Sequence, residues 1–108
     1  MRSNEVVSVR CRISRSGFSG ERVFRVACYD GTEHIGIAPT HYCSTSSGKP
    51  LDPDVPQKGK LIDGWVEGML VDHDDEKLTV ALPDGNTIKV QPDQVRTNTS
   101  TPHVPVGS

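Results

Sequence analysis

The chain contains no apolar run near the ~18 residues that a membrane-spanning helix needs. Its start, Met-Arg-Ser-Asn-Glu-Val-Val, has no apolar core of the kind that marks a secretory signal. Helical periodicity is missing too. No window repeats apolar residues at i, i+3, i+4 and i+7 for two turns, and ten glycines with eight prolines interrupt the chain too often for a bundle. Cysteine is sparse: Cys11, Cys28 and Cys43 are an odd number without the spacing of a disulfide framework. We therefore expect a reduced, cytoplasmic protein with no membrane partner. Catalytic signatures are also absent. There is no Gly-x-Ser-x-Gly, no phosphate-cradling glycine loop and no His-Glu-x-x-His, so neither catalysis nor a cofactor is expected.

What remains is a lean, strand-rich pattern. Hydrophobic residues make up 33% of 108 residues, and the mean hydropathy is −0.46. Val7, Val9, Cys11 and Ile13 alternate with Ser8, Arg10 and Arg12, which is the period of a half-buried strand. Phe24, Val26 and Cys28 alternate in the same way and lead into the turn pair Asp30-Gly31. Ile35 and Ile37 carry a third strand that Pro39 ends.

The second half echoes this grammar. Leu78-Thr79-Val80-Ala81-Leu82 runs into Asp84-Gly85, then Ile88-Lys89-Val90, then Pro92 and, three residues on, Val95. The first half offers Pro39 and, three residues on, Tyr42. The offset is 54 up to the Asp-Gly pair and 53 beyond it, as though the first copy carried one extra residue before Ile35. The expected class is therefore all-β, with two small antiparallel barrel-like modules, tandem or merged. The expected boundaries are 1–43 for the first module, 44–60 for a Pro/Ser/Gly linker, 61–97 for the second module and 98–108 for a flexible tail. Within the second module, Leu61-Ile62 reads as a short first strand. Trp65 to Val71 reads as the next, bent or bulged at Gly64 and Gly68. Pro92-Asp93-Gln94 reads as a single helical turn.

Residues 59–97 resemble the small barrels of the Src-homology-3-like class, including Tudor and KOW-type modules. The resemblance rests on Trp65-Val66-Glu67-Gly68, Leu78 to Leu82, the Asp84-Gly85 turn, Ile88-Lys89-Val90 and the turn from Pro92 to Val95. Residues 6–43 look like a degenerate copy that lacks an obvious first strand. The resemblance implies binding of peptides or nucleic acids and no catalysis.

The charge is uneven. Net charge is −2, but residues 1–27 carry +4 and residues 28–108 carry −6. Arg10, Arg12, Arg22 and Arg25 lie on or beside two neighbouring strands, with Arg15 and Phe18 in the joining loop. Guanidinium forks suit phosphates, and an exposed aromatic suits a base. Against a nucleic-acid partner stands a pI near 6.0, since such domains usually exceed ~9. A solvated face, or pairing with Glu21, Glu67 and the Asp72–Glu76 run, is the simpler expectation. Cys28, His34, His41 and Cys43 carry metal-ligand chemistry but match no familiar zinc spacing, so His34, His41 and Cys43 are weak candidates and core packing is favoured. Asp72-His73-Asp74-Asp75-Glu76 lacks the glycine and distal glutamate of a calcium loop and reads as a charged hairpin turn. Trp65 and Phe24 read as core anchors, with Trp65 also a candidate binding residue. The expected function is a non-enzymatic interaction module for a protein or peptide partner, or for a second copy. The alternative is a nucleic-acid module built on the arginine hairpin.

Overall fold

The computed structural model describes residues 4–97, so the tail expected at 98–108 lies outside the described residues. Eight antiparallel strands form one sheet that nearly closes into a barrel: β1 (Val6–Arg15), β2 (Glu21–Ala27), β3 (Glu33–Pro39), β4 (Cys43–Thr45), β5 (Ile62–His73), β6 (Leu78–Ala81), β7 (Thr87–Val90) and β8 (Val95–Thr97). Single 3-10 turns, Thr40–Tyr42 and Pro92–Gln94, precede β4 and β8. The second is the turn expected from sequence. Each of these turns is followed by a buried residue, Cys43 or Val95, and Tyr42 points to the surface. The sequence pairing of Tyr42 with Val95 is therefore off by one. Pro39 precedes its 3-10 turn, whereas Pro92 is the first residue of its own.

Strand order is β3-β2-β1-β5-β6-β7. The spine is the pairing of β1 with β5, from Val6 opposite Met69 to Ile13 opposite Ile62. Both long strands are paired along both edges. β1 takes β2 at one end and β8 at the other, and β5 takes β4 and β6. The last strand of each half of the chain thus docks on the first strand of the other half. One apolar cluster, including Val7, Val9, Phe24, Val66, Val80 and Val90, fills the interior.

β5 is one twelve-residue strand, not two. Its bulge falls at Val71, between Leu70 and Asp72, and not at the glycines. Gly64 and Gly68 serve close approach instead. A Cβ on Gly64 would stand 2.3 Å from the Ser44 carbonyl oxygen, and one on Gly68 would stand 2.7 Å from Val80 Cγ1.

The two Asp-Gly turns close alike. Cys28 N–H donates to Thr32 and Gly31 N–H to Cys28; Leu82 N–H donates to Asn86 and Gly85 N–H to Leu82. Gly31 and Gly85 take φ of +88° and +89°, which L side chains avoid. Turn geometry fixes hairpin register. Arg25 faces Ile35 as Thr79 faces Lys89, so the offset stays at 54 across these strands and no extra residue stands before Ile35. The inward face of β3 is therefore His34, Gly36 and Ala38, and Ile35 and Ile37 point outward. Phe24 accounts for the exchange. Its ring occupies the space beneath Gly36, where a Cβ would come within 2.7 Å of Phe24 Cζ. In the other hairpin the smaller Leu78 faces the larger Val90.

Residues 44–60, read as a spacer, are folded onto the barrel. Pro56, which follows a cis peptide bond, is fully buried, and Leu51 packs against the core.

Candidate functional site

The arginine hairpin does not present a uniform basic face. Side chains of β2 alternate, so Arg22 points inward with Phe24 and Val26 while Arg25 points outward. Arg22 is fully buried without a carboxylate. Its guanidinium donates to backbone carbonyls instead: Nε to Val55 at 3.1 Å, Nη2 to Pro53 at 3.0 Å, and Nη1 to Ser19 at 3.0 Å and Glu21 at 2.7 Å. Arg15 holds the same segment, with Nε donating to Pro56 at 2.9 Å and Nη2 to Pro53 at 2.9 Å. These two arginines explain why a proline-rich stretch with little apolar surface is fixed in place. They are structural clamps, which removes Arg22 from the candidate binding set.

The other arginines lie outside. Arg12 sits 3.7 Å from Asp63 and Arg25 3.5 Å from Glu33. Arg12 and Arg25 are directly opposed, and such like-charge pairs repel unless offset by acids. Arg10 lies opposite Trp65 with its guanidinium 5.6 Å from the ring centroid. Trp65 is half-buried on the outer face and outside the core cluster, so it is not the anchor its size suggested. Its position on β5 forces this, because Gly64 and Val66 take the inward places. Phe24, by contrast, is the core anchor expected. A residue that sequence reading passed over, Arg96 of β8, covers the same indole at 4.1 Å. Nothing local marks it, since β8 reaches Trp65 only across β1.

The histidines and cysteines do not converge. His34 Nε2 lies 2.8 Å from Asp84 Oδ2. Burial pushes the Asp84 carboxyl up, but bonds from Asn86 and His34 outweigh it and hold the group below the ordinary carboxylate range. His41 stacks on Tyr42 at 4.5 Å, on the wall of an open cleft of about 650 Å³ that also borders Leu51 and Arg96. Cys43 is buried, and burial pushes its thiol up to about 11. Burial raises the Cys11 thiol further. Among the described residues, no three His, Cys, Asp or Glu side chains are grouped to hold a metal ion. The acidic run Asp72–Glu76 ends β5 and forms the turn into β6 as expected, with Asp74 accepting from the Glu76 and Lys77 backbone.

The most distinctive surface is the outer face of the β2–β3 hairpin. Ile35 and Ile37 are 52% and 48% exposed, and Phe18, in the loop between β1 and β2, is 72% exposed. Val23 and Arg25 lie opposite Ile37 and Ile35 on the same outer face. Ser16 orders the loop, its hydroxyl accepting from Phe18 N–H at 3.0 Å. β3 also ends the sheet. Hydrogen bonds between Cys28 and Thr32 at one end, and from Thr40 N–H to Gly20 at the other, set which residues bond to β2. By alternation, the N–H and C=O groups of Glu33, Ile35 and Ile37 point off the edge. The opposite edge differs. At β7 the place of Ile35 is taken by Lys89, whose carbonyl accepts from Tyr29 N–H at 2.8 Å. The residue in Tyr29's place beside β3 is Pro83, which has no N–H to give. One signal in the sequence could have shown the outward turn of β3: His34, Gly36 and Ala38 are the small or polar alternates that a large neighbour such as Phe24 requires.

The chain matches no protein-family model, no curated protein and no solved structure.

Proposed function

We propose that this protein is a non-enzymatic interaction module that docks a protein partner on the outer face of the β2–β3 hairpin. The observation that carries this reading is the exposure of Ile35 and Ile37, with Phe18 exposed in the β1–β2 loop, on a sheet edge whose outward main-chain groups have no partner among the described residues. Edge strands are normally blunted by charge or covered. β7 has both protections, a lysine and a capping N–H, whereas on β3 the charge and the proline, Glu33 and Pro39, stand only at the two ends and leave Ile35 and Ile37 uncovered. An extended peptide added to such an edge gains main-chain hydrogen bonds as well as apolar contact. The arginine hairpin supports a nucleic-acid partner less well, because Arg15 and Arg22 are engaged with carbonyls. The order strand, strand, strand, 3-10 turn, strand in each half supports kinship with Src-homology-3-like barrels.

The test is site-specific photocrosslinking in the native host. A photoreactive residue at Ile37 is expected to yield a discrete protein adduct, and one at the distant, equally exposed Met69 is not. The adduct should vanish when Ile35 and Phe18 are both changed to Ser. Equal labelling from both positions would remove the proposal. A crosslink to a second copy of the chain would identify the partner as itself.

A further inference from the structure

Six arginines fall within the described residues, and four have an oxygen partner. Arg12, Arg15 and Arg25 each reach a carboxylate, and Arg22 is held by carbonyls. Arg10 and Arg96 form no ion pair with a described carboxylate, and both lie over the one indole, at 5.6 Å and 4.1 Å. The ring is itself fixed, its Nε1–H donating to the Ser46 carbonyl at 3.1 Å. Ser8, the small residue opposite Arg96 on β1, lets that side chain lie across the strand to reach Trp65. Two guanidiniums held on one ring repel each other, and the ring quadrupole offsets only part of that repulsion. A hollow of about 300 Å³ opens beside Arg10 and Trp65, bordered also by Ser46, Asp63 and Gly64, and Arg96 borders the larger cleft of about 650 Å³.

We propose that Arg10 and Arg96, carried on Trp65, form a binding site for a phosphate group. Paired guanidinium forks supply directed donors for phosphate oxygens, and a dianion or diester between them cancels their repulsion. The site lies on the β1–β5–β8 face, apart from the β2–β3 strip, and stands whether or not that strip docks a protein. Glu67 lines the cleft next to Arg96, and its charge sets a ceiling on affinity.

Trp65 is the only tryptophan in the chain, so its fluorescence reports on this site alone. The folded protein is titrated at low salt with inorganic phosphate, and separately with a short single-stranded oligothymidylate. A saturable change in Trp65 emission is expected, weakened about tenfold by Arg10→Gln or by Arg96→Gln and strengthened by Glu67→Gln. Response to both probes assigns a free phosphate site, and response to the oligonucleotide alone assigns a phosphodiester backbone. Phosphorus NMR line broadening of the same ligands gives a readout that does not depend on the indole, with circular dichroism confirming that each variant is folded. No response to either probe, or a response unchanged in both arginine variants, overturns the proposal.

Discussion

Arg22 shows how a single side chain can organise a segment that has almost nothing to bury. Its guanidinium is enclosed and satisfied by carbonyls from two segments distant along the chain, Ser19 and Glu21 in one and Pro53 and Val55 in the other. A lysine in its place has a single ammonium and no planar fork, so several of these carbonyls lose their donor. We expect Arg22→Lys to cost about 3 kcal/mol, the scale of breaking a buried charged hydrogen-bond network, read as a lower urea midpoint. Residues 50–57 should also become sensitive to protease. An unchanged midpoint would mean that the segment holds itself. None of this was legible beforehand, because hydrogen bonds to carbonyls leave no periodic trace in a sequence. Burial of β1 was legible for the opposite reason: Val7, Val9, Cys11 and Ile13 face the core while Arg10 and Arg12 face water.

At the scale of elements, β3 is where sequence and structure part. Two isoleucines at alternate positions argue for an inward face, and turn geometry overrode them, because the Asp-Gly loops fix register before any side chain is counted. The hairpins, the Asp-Gly turns and the 3-10 turn before β8 could be read from local pattern. The pairing of β4 with β5 and of β8 with β1 could not, since each joins segments that are distant along the chain. The register makes a sharp contrast testable. The N–H of Ile37 points off the edge, whereas that of Ala38 lies in the ladder with Arg22. Ile37→Pro should therefore change stability by less than about 1 kcal/mol, and Ala38→Pro should cost about 3 kcal/mol or more. Thermal or chemical denaturation of the two variants decides it. The reverse ranking would invert the strand.

For the whole molecule, the core's thiols make stability depend on alkaline pH. Burial raises Cys43 from 9.0 to about 11 and raises Cys11 as well, so the folded state keeps its protons longer than the unfolded chain. Stability from these groups is complete below the unfolded thiol value of 9.0 and is lost as pH rises through the folded values. Denaturation midpoints should fall steadily between about pH 9 and 11, and Cys43→Val should flatten part of that slope. An identical slope in the variant would place the loss elsewhere. The mutual exchange of last strands between the halves has a topological consequence. A cut anywhere in residues 46–61 leaves two fragments, each missing a strand that only the other supplies. Neither piece contains a closed structure of its own, so the molecule is indivisible although its sequence looks divisible. The same geometry offers a route by which two chains at high concentration trade their C-terminal portions, each completing the other.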